Sequence, residues 1–501
     1  SLAYTAQTHY SYKSRYTLTL TCRADGTTKL GPSKRWSLSP SVSGRWNLGD
    51  EPFMETLRDK GMSMLAVRAG WGLTGNLPSQ DYLYVSKYAQ GTSYLGQTTM
   101  YPSNLKLTDL KRENKSDVNL GFDLGMMDDR LTIAAEIYKS TTDDMLMSNV
   151  RIASNTGFST LAYVNCGKMT NRGWEFYINT NRLIKKGKFH MDINVNFGNN
   201  RNEILEMPEL LLKSMNSTFT NSNRNVLTRV QLHNPFGSIY GFRSKGVYQY
   251  EYETFCELSN EAQEQFLAEG KTAPVALTAS GEIIRDEDGT PIRMMFNYTN
   301  DGTGKNYKFK GGDAIYEDVN HDGQINALDI VYIGSSLPKL VGGFGFSWVY
   351  GDWRLSTQFT YRVGNEILNL ARLDAEAMIN NDNQSQAVNY RWRKEGDVTT
   401  IPRAMYGSDS NYNTLISDRF VEDGSYLRMS YAQLSYVLKK SWVKRIGLNR
   451  VSLYVSANNP LILTHYTGVD PDISSSGYGP ACDTGKTPRA RSYTFGMTVD
   501  F

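Results

Sequence analysis

Long stretches of the chain alternate apolar and polar residues, and that period of two places the apolar ones on a single face of an extended strand. Val118, Leu120, Phe122 and Leu124 alternate with Asp117, Asn119, Gly121 and Asp123. After Met126-Met127-Asp128-Asp129, Leu131, Ile133, Ala135 and Ile137 alternate with Thr132, Ala134, Glu136 and Tyr138. The pair predicts a hairpin with a tight turn. Trp174, Phe176 and Ile178 precede a second such turn at Lys185-Lys186-Gly187-Lys188, and Phe189, Met191, Ile193, Val195 and Phe197 follow it. A third turn, Gly351-Asp352, leads into Trp353, Leu355, Thr357, Phe359 and Tyr361. Over 491–501, Tyr493, Phe495, Met497, Val499 and Phe501 alternate with Thr494, Gly496, Thr498 and Asp500. This last segment reads as the closing strand of a barrel.

In a soluble sandwich the apolar faces of such strands would meet one another. In a membrane barrel they meet lipid, and the polar faces line a wet lumen. Two features favour the barrel. Several segments run well beyond the ~5–6 residues usual in soluble sheets. Short turns and long connections also alternate, as periplasmic turns and extracellular loops do. The expected fold is therefore all-β, a transmembrane antiparallel β-barrel. If the last strand runs down into the periplasm, counting back makes 207–338 one long extracellular excursion, and it gives roughly thirteen spanning strands over 1–501. An odd count predicts a partial barrel, with strands missing on the N-terminal side. An open edge in lipid leaves backbone groups unsatisfied, so the closing strand needs a further partner.

Composition agrees with this. No run of eighteen apolar residues is present, so no transmembrane helix is encoded, and mean hydropathy is -0.47. The 32 Tyr, 19 Phe and 8 Trp would supply the aromatic girdles of a barrel. With 54 basic and 51 acidic residues, net +3, there is no electrostatic case for nucleic acid. Cys22, Cys166, Cys256 and Cys482 match no zinc or redox spacing. The first residues, Ser-Leu-Ala-Tyr-Thr-Ala-Gln, have no signal-peptide pattern. Ser and His residues are scattered without a visible nucleophile–base constellation, so no enzyme activity and no catalytic residue is expected.

One segment carries site chemistry. Residues 318–329 follow the EF-hand loop pattern, with Asp318, Asn320 and Asp322 at positions 1, 3 and 5, Gly323 at 6 and the Gln324 carbonyl at 7. Ile325 would anchor the loop to its own core. Asp329 stands at position 12, where the pattern has a bidentate Glu, which weakens or rearranges coordination there. The expected ligand set is Asp318, Asn320, Asp322, Gln324 and Asp329 around a structural Ca²⁺. An Asx-rich turn without an ion is the alternative.

An ordered set of short motifs spans the chain. It begins with Arg23-Ala24-Asp25-Gly26, Arg35-Trp36, Pro40-Ser41-Val42-Ser43, Glu51-Pro52-Phe53-Met54 and Gly70-Trp71-Gly72-Leu73-Thr74-Gly75-Asn76. It continues through Gly237-Ser238-Ile239-Tyr240-Gly241, Gly246-Val247-Tyr248, Arg391-Trp392, Glu395-Gly396-Asp397 and Ile401-Pro402-Arg403-Ala404. It ends with Gly424-Ser425-Tyr426-Leu427-Arg428 and Asn459, Thr464, Tyr466, Gly468 and Asp470-Pro471. In this ordered set the chain resembles the SusC/RagA family of TonB-dependent transporters from Bacteroidetes.

The resemblance implies the C-terminal part of a barrel of about 22 strands, with the plug, TonB box and signal sequence upstream. It implies TonB-dependent import of oligomeric nutrients, most often oligosaccharides or other glycans and in some cases peptides. The implied partners are a SusD-like surface lipoprotein over the mouth, the TonB complex, and the lipid and lipopolysaccharide of the outer membrane; a dimer of transporter–lipoprotein pairs fits too. Oligopeptide import by the same mechanism is one alternative, and a passive porin or adhesin barrel another. An outer-membrane hydrolase and a soluble glycan-binding β-protein are weaker readings. The residues that touch substrate are not defined by the sequence; Tyr82, Tyr84, Tyr88 and Tyr94 in outside loops are candidates for stacking on sugars, and loop packing is an equal reading.

Overall fold

The computed structural model describes residues 1–216, 226–297, 306–407, 412–445, 447–475 and 479–501. Thirteen long strands form one antiparallel sheet in chain order. They are β1 (Leu2–Tyr12), β2 (Tyr16–Gly26), β3 (Trp36–Trp46), β4 (Met62–Thr74), β5 (Asn114–Met126), β6 (Leu131–Asp143), β7 (Lys168–Thr180), β8 (Phe189–Glu206), β9 (Leu340–Tyr350), β10 (Trp353–Val363), β11 (Tyr426–Val437), β12 (Arg450–Thr464) and β13 (Ser492–Asp500). A short strand, Ile184–Lys186, adds to the start of β8. Among the described residues β1 pairs only with β2, and β13 only with β12.

The connections fall into two sets that alternate along the chain. At one end lie 13–15, 47–61, 127–130, 181–188, 351–352 and 438–449. At the other lie 27–35, 75–113, 144–167, 207–339, 364–425 and 465–491. The first set contains the tight turns. Gly351, at φ +60, reverses the chain between β9 and β10, a conformation that costs an L side chain about 1 kcal/mol or more. Between β8 and β9 no strand joins the large sheet among the described residues.

Cross-strand register carries the apolar alternation around the sheet. Trp71 of β4 faces Val118 of β5; Ala69 faces Leu120, which faces Ile137 of β6, which faces Trp174 of β7. Phe197 of β8 continues the face to Gly342 and Phe344 of β9, and Leu434, Leu453 and Met497 complete it on β11 to β13. Most of these residues are exposed, Leu120 at 48% and Met497 at 63%, while Phe197 and Phe344 are half-buried. A soluble sheet would bury this face, so its exposure along the strands marks it as lipid-facing. Aromatic pairs stand at both ends of the band. Tyr4 stacks on Trp36 at the long-loop end (5.9 Å between centroids), and Tyr16 on Trp46 at the short-turn end (6.1 Å).

The buried hydrophobic residues lie elsewhere. Phe242, Tyr248, Phe296, Phe309, Tyr316 and Ile325 from the 207–339 segment pack with Tyr412 and Leu415 from 364–425. A second cluster joins Leu368, Leu373, Ile416 and Phe420, and a third joins Ile367 to Tyr466, Ile473 and Ala481. The 207–339, 364–425 and 465–491 connections are thus packed together. They form a packed layer over the sheet rather than separate loops.

Candidate functional site

The inner face of the wall carries a connected set of charges. Arg45 of β3 and Arg68 of β4 are register partners. Arg45 Nη1 reaches Asp123 Oδ2 of β5 at 2.9 Å, and Arg68 reaches Asp123 Oδ1 at 3.4 Å and Glu136 Oε2 of β6 at 2.6 Å. Period two explains the placement, because each residue alternates with the lipid-facing ones already described. Gly121 opposite leaves Arg68 its room: a Cβ there would stand 2.9 Å from the Arg68 Cζ, and the guanidinium would have to shift. Further round, Asn194, Asn196, Gln358, Gln433 and Ser456 keep the inner face polar. A wall of this kind holds water and polar solutes.

The layer above the wall is held by buried polar groups. Asp313, 0% exposed, takes hydrogen bonds from Arg403 Nε (2.7 Å), Tyr307 OH (2.6 Å), Lys310 N (2.9 Å) and Asn413 Nδ2 (3.3 Å). Burial, with the Asp313 charge beside it, pushes the Tyr307 phenol well above its ordinary range, so the phenol remains a donor. Trp392 lies over Gly312 and donates to Gln249 O at 3.1 Å. Glu376 binds both Arg372 (2.9 Å) and Arg419 (2.5 Å), and Arg372 also binds Glu422 (3.1 Å). Arg428, at the outer end of β11, binds Asp470 at 2.5 Å. These contacts join residues from different connections into one body.

Where this layer meets the rim of the wall there is a cavity of about 1060 Å³. Asn199 and Arg201 of β8, Tyr240, Arg243, Tyr332 and Glu366 are among its lining residues. Tyr332 is exposed, and Tyr240 holds it edge-to-face at 5.9 Å. An exposed ring beside Arg, Asn and Glu side chains can stack on an apolar ring face and hydrogen-bond hydroxyls or amides. The sequence pattern did not single out this site. Its members come from separate connections, and the one local signal was the Gly237–Gly241 motif that contains Tyr240. Of the tyrosines considered from sequence, Tyr82 and Tyr88 are exposed. Tyr84 packs under Arg35, with the guanidinium carbon 5.7 Å from its centroid. The side chain of Tyr94 lies outside the described residues.

The 318–329 loop turns at Gly323. Gly323 takes φ +79, and a Cβ there would come 3.2 Å from Ala276. Ile325 is 0% exposed in the largest buried cluster, and Gln324–Ile325 pairs in parallel with Met295–Phe296. Asp318 Oδ2 accepts from Gly323 N (2.8 Å), and Asp322 Oδ1 from Gln324 N (2.8 Å). Asn320 Nδ2 donates to Asp322 Oδ2 at 2.9 Å. The structure thus brings Asp318, Asn320 and Asp322 together.

Asp329 closes the loop by accepting from Val319 N and Asn326 N, each at 2.8 Å. Its two oxygens serve the backbone, and the Gln324 side chain accepts from Asn297, leaving its carbonyl as the expected donor. Among the described residues no three His, Cys, Asp or Glu side chains form a metal-binding group. Burial, together with the charges of Asp318 and Asp322, raises the Asp329 carboxyl to about 6. Burial and Asp322 raise Asp318 as well.

A family model described as TonB dependent receptor-like, beta-barrel matches residues 1–256. A TonB-dependent receptor of Formosa agariphila is 29% identical over 509 residues, covering 99% of this chain and 46% of the relative. The TonB-dependent receptor SusC of Bacteroides thetaiotaomicron is 26% identical, covering 100% and 44%. The chain therefore spans about half the length of the curated relatives it matches. Structures of the RagAB peptide importer share the fold. Its open-open state superposes with a TM-score of 0.75 at 19% identity, covering 100% of this chain and 46% of that one.

Proposed function

The chain belongs to the TonB-dependent receptor-like β-barrel family, and from that membership we propose that it forms the wall and outer layer of a transporter that imports oligomeric nutrients, most readily oligosaccharides, with energy delivered through TonB. As a barrel of this family it resides in the bacterial outer membrane. The observation that carries the proposal is the pairing of a lipid-facing apolar band with a charged and amide-lined inner wall under a packed outer layer. Such a wall gives a large polar solute a wet path. A SusD-like lipoprotein is the proposed partner over the outer layer, and the plug and TonB contact belong to upstream sequence. We further propose that the open edges of β1 and β13 close through additional strands.

The rim cavity with Tyr332 supports sugar or peptide contact alike, and the likeness to a peptide importer favours oligopeptides as the second reading. Growth of a deletion strain on single glycans and peptides separates them. Loss of growth on one oligosaccharide class, restored by the full-length protein, is the expected result. Loss on peptides alone would transfer the proposal to the second reading, and unchanged growth on every polymer would overturn both.

Calcium in the 318–329 loop is part of the same proposal. Asp318, Asn320 and Asp322 side chains, the Gln324 carbonyl and Asp329 would hold it, and its role would be to stiffen the outer layer. Purified full-length protein is expected to carry about one calcium per chain, lost in Asp322→Ala. Chelation should speed proteolysis within 318–329 about tenfold or more, in keeping with the loss of a bound stabilising ligand. No calcium by metal analysis, with unchanged proteolysis in Asp322→Ala, would remove the ion from the account.

A further inference from the structure

The six turns at the short-turn end differ in charge. The turns joining β1–β2, β3–β4 and β5–β6 hold five Lys or Arg and six Asp or Glu, some of them paired, as Arg15 is with Glu51 at 3.3 Å. The turns joining β7–β8, β9–β10 and β11–β12 hold eight Lys or Arg and one acid, Asp352, a net of +7. Lys185, Lys186, Lys188, Lys439, Lys440 and Lys444 among them are all exposed. All eight basic residues lie in two turns, 181–188 and 438–449, and backbone hydrogen bonds tie both to the short Gly351-Asp352 turn between them: Gly351 N donates to Lys188 O (3.2 Å), and Val437 N to Asp352 O (2.9 Å). The two basic clusters therefore share one arc of the rim, with Asp352 the single acid between them.

The arc borders the lipid-facing band. Tyr350 and Trp353 are exposed beside it, and Trp353 packs on Tyr436 at 4.5 Å between centroids. In the short helix Lys440–Arg445, Val443 is buried while Trp442 is 56% exposed. Lys439 Nζ stands 5.8 Å from the Trp442 ring centroid. Trp with flexible Lys neighbours next to an apolar band is the composition of a membrane interface. Lysines act as mobile point charges, which suits phosphates without fixed geometry. We propose that this arc binds the anionic headgroups of phospholipids in the periplasmic leaflet, with Trp442 seated at headgroup depth.

The test uses the full-length transporter in phosphatidylcholine vesicles. These carry a minor fraction of brominated phosphatidylglycerol or, separately, brominated phosphatidylcholine. Trp442 emission is taken as the difference between the native protein and Trp442→Phe. Brominated phosphatidylglycerol should quench it about fivefold more strongly or better, the scale expected for even one lysine near an anionic surface. The ratio should fall at least about twofold in K185Q/K186Q/K440Q/K444Q, and persist undiminished when the same four lysines are changed to arginine, as charge attraction requires. Heat-modifiable mobility on gels establishes that each variant is an assembled barrel. Equal quenching by the two lipids in the native protein, or a preference that survives the glutamine changes, would overturn the proposal. So would loss of energised uptake in the glutamine variant with its lipid preference intact, which would make the arc a protein-docking surface.

Discussion

Asp313→Ala should unfold the outer layer while leaving the barrel wall assembled. Asp313 is fully buried and accepts from Arg403, Tyr307, Lys310 and Asn413. Its removal leaves the Arg403 guanidinium without its anion, and breaking a buried pair in this way costs about 3–5 kcal/mol. That cost falls on a layer whose segments are joined by shared clusters, so its effect should spread from 307–313 to 392–415. The wall has its own ladder and should keep its heat-modifiable mobility. Limited proteolysis is the measurement: cuts should appear throughout 207–339 and 364–425 and be absent from β1 to β13. Asp313→Asn keeps hydrogen-bond acceptance without the charge and should fall between the two. A protease pattern in Asp313→Ala identical to the native one would mean that the layer does not depend on this hub.

The second large effect separates membrane from water. Leu120 lies at the middle of β5, exposed, between Ala69 and Ile137. On a soluble protein an exposed leucine becomes arginine at a cost within about 0.5 kcal/mol. At the mid-depth of a lipid-facing strand the same change costs about 2–4 kcal/mol. Leu120→Arg should therefore lower the denaturant midpoint of the barrel folded in vesicles. Asn119→Arg, one residue away on the wet face, should leave it nearly unchanged. Equal effects of the two would dissolve the distinction between the faces.

The alternation that makes β5 legible is local, since Val118, Leu120, Phe122 and Leu124 announce a strand face without reference to any other residue. The same holds for β6, β8 and β13. Sequence alternation does not say whether such a face meets protein or lipid; the exposure of Leu120 and Phe495 does. The outer layer was much less legible. Asp313 and Arg403 are 90 residues apart, and Arg428 and Asp470 are 42 apart; no period or spacing links them. Arg403, Arg428, Trp392 and Asp470 were visible only as motif residues, and the structure supplies the reason for the motifs: Arg428 is the partner of Asp470, and Trp392 covers Gly312. The EF-hand spacing located the turn at Gly323. It did not reveal that Asp329 spends both oxygens on backbone N–H groups.

The most direct measurement of the whole account is the side of the membrane on which each set of connections lies. Full-length protein with Cys22, Cys166, Cys256 and Cys482 changed to Ser would carry one new cysteine at a time, in intact cells. Val398, 83% exposed in the outer layer, and Lys186, exposed in a short turn, are the two positions. A membrane-impermeant maleimide should label Val398→Cys in intact cells, and Lys186→Cys only after the outer membrane is permeabilised. Labelling of Lys186→Cys in intact cells with Val398→Cys protected would contradict the account.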